Sequence, residues 1–435
     1  MAETVPESAR DRRLSLIGVG RLGLCLALVA ERAGYDVLGV DVLPQYVESI
    51  NRRTLHSAEP HVNEYLRSAK RLRATTDMDE AIEFSDHLMI LVATPSTGGQ
   101  RHYDVTQLSR VLMRINARRP RHKVVTICCT VLPGYIANIG RGLLADCDGV
   151  VLQYNPEFIQ QGNIVRGLEC PDTVLIGEGS GHGGDLVEQM WRAFVRNPGE
   201  VSVHRMSAES AEIAKLALNC YITMKISFAN TIADVADRTP HADKHAILQS
   251  IGADTRVGAK CLLPGYGFGG PCFPRDNRAF GGYAESVGIE PLLSRATDAY
   301  NERHAQHMAA QLLAQDRDLY VFEGVTYKVP CDVPIIEESQ KLVVAALVAR
   351  AGKRVVVRDR KEVIEACKME WGSVLFEYQV IPGAEEAEKK RVGVNGEWYT
   401  PPRSSNTGDI YRDAALNALD ARRGQLVEHF SQPPQ

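Results

Sequence analysis

The front of the chain switches between short apolar runs and longer stretches with apolar residues at helical spacing. In RRLSLIGVGRLGLCLALVAERAGYDVLGVD this predicts a strand from Leu14 to Ile17, a tight turn, a long apolar helix ending near Gly34, and a second strand ending on Asp41. HLMILVATP and KVVTICCT predict later parallel strands with helices between them. From Ser207 the texture changes, and SAESAEIAKLALNCYITMKISFANTIADVAD keeps helical spacing for roughly eight turns. Ala211, Ala217, Leu218 and Ile222 predict that this helix is largely buried. A different kind of stretch, GYGFGGPCFPRD from Gly265 to Asp276, holds four glycines and two prolines, which break helix and strand alike. Further on, KRVVVRD predicts a strand ending at Asp359, after which the strand–helix alternation fades. NGEWYTPPRSSNTGDIYRD reads as loop and RDAALNALDARRGQLVEHF as one terminal helix.

Composition narrows the class. At 435 residues the chain accommodates two or three domains, and its 44% hydrophobic and 24% charged residues are ordinary for a globular protein. A formal net charge of −4 gives no reason to expect nucleic acid or an anionic membrane as partner. No apolar run approaches the roughly 20 residues that span a bilayer. The opening MAETVPESARDRR carries acids and no apolar segment, so it predicts a disordered lead-in rather than a signal peptide. Ten cysteines without CxxC spacing fit a reducing cytoplasm better than a disulfide scaffold or zinc site. Cys128 and Cys129 read as small apolar strand residues, and His241 and His245 as a solvated helix rather than metal ligands.

Three places carry chemistry. Gly18, Gly20 and Gly23 stand in GxGxxG spacing between strand and helix, where they serve a tight turn, close approach to a pyrophosphate and helix–strand packing. Asp41 stands where an acid holds a ribose 2′-hydroxyl and repels a 2′-phosphate, favouring NAD over NADP. Thr94 and Thr130 fall at the carboxyl ends of later strands, where ligands bind in such sheets. Lys215 and Asn219, four apart, share a helix face. The glycine loop would let its backbone approach a ligand and present N–H groups to it, with a thiol, Cys272, beside Arg275 and Asp276.

Taken in order, GVGRLG, VATPS, TVLPG, NPEF, AEIAKLALN and GFGGPCFPRD make the chain from about residue 13 to about 360 resemble the UDP-glucose/GDP-mannose dehydrogenase family. The resemblance implies an α/β protein with an N-terminal Rossmann NAD-binding domain (13–204), a central all-helical dimerisation domain with a long helix and the cysteine loop (205–305), and a C-terminal Rossmann-like sugar-nucleotide domain (316–435), atypical or incomplete after about 360. It further implies a cytoplasmic homodimer that oxidises the C6 hydroxyl of a nucleotide-activated hexose such as UDP-glucose to the uronic acid for polysaccharide synthesis. An aldehyde carbon does not readily release hydride, and a thiohemiacetal does, so such a reaction needs a thiol. By resemblance, Cys272 is the nucleophile, and Lys215 and Asn219 stabilise oxyanion character at C6. Asp276 and Thr130 organise a water, and Glu157 serves thioester hydrolysis. NAD touches Gly18, Gly20, Gly23, Asp41, Thr94 and Thr130. The sugar nucleotide touches Glu157, Gln161, Lys215, Asn219, Arg256, Gly267, Gly269, Gly270 and Lys328.

Departures from the family pattern mark what this reading leaves open. Gln161 stands where a second glutamate is common, and it cannot take a proton. Pro271 replaces a frequent serine, and Glu337 stands where family members place an NAD-contacting arginine. UDP and GDP are not distinguished. Alternative readings are a UDP-N-acetylhexosamine 6-dehydrogenase, or a catalytically impaired homologue that binds NAD or a sugar nucleotide. A single-oxidation hydroxyacid or 6-phosphogluconate dehydrogenase shares the front domain, but has no use for the cysteine loop.

Overall fold

The computed structural model describes residues 12–97, 103–179 and 181–381. The expected lead-in, the NGEW loop and the terminal helix lie outside the described residues. Eight strands form the main sheet: β1 Arg13–Ile17, β2 Asp36–Val40, β3 Leu72–Thr75, β4 His87–Ile90, β5 Val124–Ile127, β6 Val151–Tyr154, β7 Thr173–Glu178 and β8 Ser202–Ser207. Their order is β3-β2-β1-β4-β5-β6-β7-β8, and all neighbours are parallel except the antiparallel β6–β7 pair. Strand order reverses between β1 and β4, so their carboxyl ends open the crevice in which doubly wound sheets bind ligands.

Over β1, β2, β4 and β5 both faces of this sheet are covered, which is why these strands read as near-continuous apolar runs. On one side Leu24 and Leu28 of helix Arg21–Arg32 pack with Trp191 and Phe194 of helix Gly181–Phe194. On the other, Ala81 and Ile82 of helix Met78–Phe84 pack with Leu108, Leu112 and Ile115 of helix Thr106–Arg118. Cys128 joins the first cluster and Cys129 the second, so these adjacent thiols are core residues on opposite faces. Helix Arg21–Arg32 stops at Gly34, whose φ of +100° is the left-handed conformation that follows many helix ends.

The long helix runs Ala208–Ala236, 29 residues, with Ser207 capping its start by accepting from the Ser210 N–H. Glu212, Lys215, Asn219, Thr223 and Asn230 are buried, while Leu218, Tyr221, Phe228 and Val235 are 37%, 52%, 47% and 59% exposed. The expectation of a largely buried helix holds for one side only: the polar residues, with Ala211, Leu216 and Ala229, face helix Phe273–Ser286 and neighbouring elements, while Leu218 is exposed. The solvated helix expected at His241–His245 also differs. Helix Lys244–Ala253 begins only after His241, and Asp243 caps it. His241 sits at φ +66°, outside the helix. Among the described residues no group of three His, Cys, Asp or Glu gathers to hold a metal.

Contacts divide the chain into two units: Met1–Ala305 with Gly324–Val343, and Gln306–Glu323 with Val344–Gln435. The second unit holds a parallel sheet of order β11-β10-β9, formed by β9 Leu319–Glu323, β10 Arg354–Asp359 and β11 Glu377–Val380. The strand expected at KRVVVRD is β10. The alternation does not fade there, since helix Lys361–Trp371 buries Val363, Ile364 and Cys367 and β11 follows. Apolar spacing at those three residues was the available signal.

Candidate active site

The turn after β1 is built as its spacing requires. Gly18 adopts φ +96°, and a Cβ there would lie 2.7 Å from the Leu91 carbonyl oxygen. A Cβ on Gly23 would run into the Gly18 carbonyl. At Gly20 a Cβ would meet nothing within 4 Å. The middle glycine thus faces open space at the amino end of helix Arg21–Arg32, where backbone N–H groups and the helix dipole favour an anionic phosphate. Asp41 follows β2 and lines a cavity of about 380 Å³ together with Gly20, Arg21, Tyr46, Glu59 and Pro334. An open glycine, a helix amino terminus and an acid at the cavity wall fit a dinucleotide. Thr94 and Thr130 close the neighbouring strand ends on each other, the Thr94 hydroxyl donating to the Thr130 carbonyl at 2.9 Å.

The second part of the site gathers on the polar face of the long helix. Cys272 stands at the amino end of the 14-residue helix Phe273–Ser286. Its thiol is exposed on one side, yet sits in a protein-rich recess. That crowding pushes its pKa above the ordinary thiol value, against the charges of Arg275 and Lys215, which pull it down. Asp276, one turn on, is fully buried. It accepts from the Tyr103 hydroxyl at 2.8 Å, Asn219 Nδ2 at 2.6 Å and Arg275 Nε at 2.9 Å. Three donors thus hold both oxygens of this buried carboxylate and fix its orientation.

Lys215 Nζ donates to the backbone carbonyl of Glu157 and lies 4.7 Å from the centre of the Phe158 ring. Burial lowers the lysine's pKa, and the negative groups around it, Asp276 first, oppose that fall. The Glu157 side chain is the mirror case. Burial pushes its carboxyl up to about 8, with Lys215 pulling down, and its Oε1 has no hydrogen-bond partner. A pKa near neutrality suits a group that passes a proton.

The glycine loop packs tightly against the rest of the protein. A Cβ on Gly267 would strike Asn301, one on Gly269 the Glu338 carbonyl, and one on Gly270 the Tyr327 ring. These glycines make room for the protein's own packing, and the N–H groups of Gly265, Phe268 and Gly270 go to Asn230, Asn301 and Glu337 rather than to open space. Gln161 accepts from Arg21 of the glycine turn, and Lys328 reaches Gln160 Oε1 at 3.4 Å, its pKa lowered by burial. Arg256 is not in the buried cluster; it is a surface residue paired with Asp254 at 2.7 Å. Sequence reasoning missed Tyr103, a lone aromatic without pattern, and Glu59. The Glu59 carboxylate is buried and accepts from the Gly162 N–H at 2.7 Å, tying down the segment that carries Glu157 and Gln161.

A doubly wound sheet with an open glycine turn at a helix amino terminus, in a chain that also sets a thiol near a buried lysine, fits a dinucleotide-dependent oxidoreductase. Comparison with known proteins sharpens this. The UDP-glucose/GDP-mannose dehydrogenase family's NAD binding domain matches residues 12–195, and its central domain residues 209–303. A UDP-glucose 6-dehydrogenase of Haloferax volcanii is 31% identical over 320 residues, 70% of this chain and 73% of the relative. A GDP-mannose 6-dehydrogenase of Pseudomonas savastanoi pv. phaseolicola is 27% identical over 348 residues, 76% of this chain and 78% of the relative. The structure of a UDP-glucose dehydrogenase from Pyrobaculum islandicum superposes with a TM-score of 0.77 at 27% identity, covering 89% of this chain and 90% of that one. The chain belongs to the UDP-glucose/GDP-mannose dehydrogenase family of NAD-dependent oxidoreductases.

Proposed function

We propose that the protein oxidises the C6 hydroxyl of a nucleotide-activated hexose, in the manner of UDP-glucose, to the uronic acid in two two-electron steps. The carrying observation is the Cys272 thiol at a helix amino terminus beside the buried Lys215–Asn219–Asp276 cluster. The Gly18–Gly23 turn and Asp41 would hold NAD, which when bound would supply the hydride acceptor for each oxidation. Removal of the alcohol proton and the first hydride leaves an aldehyde. The Cys272 sulfur then bonds to the aldehyde carbon, and the carbonyl oxygen becomes an alkoxide facing Lys215 and Asn219, which carry donors and no competing acceptor charge. The tetrahedral carbon can release the second hydride, leaving a thioester. Water attacks the thioester carbon, the C–S bond breaks, and the thiolate and the acid form. Glu157, with a free buried oxygen and a pKa of about 8, takes a proton from that water as its carboxylate and returns it to the released thiolate.

The protein acts as a homodimer. Tyr221, Phe228 and Val235 recur at seven-residue spacing on the exposed face of the long helix, the apolar seam along which a second copy would pack. A reactive free thiol suits a reducing compartment, the cytoplasm. The function is tested by supplying protein and NAD with a panel of UDP- and GDP-hexoses, N-acetylhexosamines included. Two NADH per sugar with acid formed is expected; one NADH and no acid would sink the reading.

A further inference from the structure

Four glycines leave the Gly265–Gly270 segment little stiffness of its own, since glycine surrenders more conformational freedom on ordering than any other residue. Whatever aims the thiol that follows must hold this loop from outside. The largest share of that hold falls on one side chain. Asn301, on helix Leu292–Leu313, is buried, and its carboxamide pairs with the backbone of Phe268 in both directions. Oδ1 accepts from the Phe268 N–H at 2.9 Å, and Nδ2 donates to the Phe268 carbonyl at 2.9 Å. The amide thus completes the two-bond pairing that a neighbouring strand would supply. The fit is close enough that a Cβ on Gly267 would collide with Oδ1.

Two further groups fix where the loop starts. Asn230 Oδ1 accepts from the Gly265 N–H at 2.9 Å, and His304 Nε2 donates to the Gly265 carbonyl at 2.7 Å. Asn230 stands on the same helix as Lys215 and Asn219, so one rigid element carries both the oxyanion donors and a tether of the thiol loop.

We propose that Asn301 is a positioning residue for Cys272: its amide sets the path of the glycine loop and thereby aims the thiol at the Lys215–Asn219 face. The inference rests on Cys272 being the nucleophile proposed above. A misplacement of about 1 Å in a reacting group costs on the order of 100-fold in rate, whereas cofactor binding at a separate turn is untouched.

The test uses the full chain. Asn301→Asp keeps the acceptor for the Phe268 N–H but sets an anionic oxygen against its carbonyl. Expected are a kcat about 100-fold lower, NAD affinity within about twofold of the parent, and a changed rate of Cys272 alkylation by iodoacetamide, located by peptide mass. Val187→Ala, which truncates a buried residue of helix Gly181–Phe194, supplies a comparison at similar loss of Tm with kcat retained. A kcat within about threefold of the parent overturns the inference, as does an equal fall in Val187→Ala at matched Tm. Should Asn301→Asp fail to fold, Gly267→Ala drives a methyl group into the same oxygen and must show the same kcat loss; full activity there overturns the inference too. Cys272→Ala that still forms acid is a separate result, and removes the nucleophile reading instead.

Discussion

The ammonium of Lys215 rests on the backbone carbonyl of Glu157, 58 positions earlier in the chain. This contact joins the long helix to the segment after β6, and sets a cation beside a carboxyl whose own oxygen is unpartnered. Lys215→Met would remove the charge and the donor together. We expect kcat to fall by about 100- to 1,000-fold, the range for loss of one oxyanion donor. Because Lys215 lowers the Glu157 pKa, its loss lets that pKa rise, so the remaining activity should shift to higher pH. Steady-state rates from pH 6 to 10 check both points.

Stability should carry the mark of Glu157 as well. Its folded pKa, about 8, lies above the 4.5 of an unperturbed glutamate, so the folded state holds a proton that the unfolded state releases. The resulting stabilisation is present below about pH 4.5 and is lost as pH rises through 8. Glu212, raised to about 7 by burial, adds a contribution of the same sign. Glu157→Gln should therefore show a shallower decline of Tm between pH 6 and 9, without becoming flat. A parallel pair of Tm curves would contradict the burial of this carboxyl.

Cys272→Ala should abolish acid formation while leaving NAD binding and Tm close to the parent, because the side chain is exposed and caps no helix through its sulfur. Mass spectrometry of the sugar product is decisive. An unchanged yield of acid would exclude a covalent thioester.

The three turn glycines should separate by role. Gly20→Ala places a methyl group in open space where a pyrophosphate approaches, so NAD affinity should collapse with Tm unchanged. Gly23→Ala drives a methyl group into the Gly18 carbonyl, and should lower Tm by several degrees. Asp41→Ala should narrow the preference for NAD over NADP. Cofactor titration and thermal melts distinguish these outcomes.

Phe228→Glu would put a charge in the apolar seam of the long helix. A sedimentation experiment should find a lower mass for this variant than for the parent. Equal masses for both would show that this face does not join two copies.

The glycine spacing at 18, 20 and 23 and the apolar runs of β1, β2, β4 and β5 made the NAD-binding fold legible. Each is a local requirement: a turn conformation, a helix start, a strand covered on both faces. Lys215 with Asn219 and the thiol of Cys272 were legible for a related reason, since four-residue spacing defines a helix face, and a loop so rich in glycine is unusual anywhere. Only the tertiary structure decided what these groups do to one another. It buried Asp276 under Tyr103, Asn219 and Arg275, raised the Glu157 carboxyl to near neutrality, and used the loop glycines to clear space for Asn301, Glu338 and Tyr327. It also buried a polar stripe of the long helix while leaving Leu218, Tyr221, Phe228 and Val235 exposed. Helical periodicity states which residues share a face. Which face meets protein depends on partners more than 50 positions away, and no local pattern encodes them.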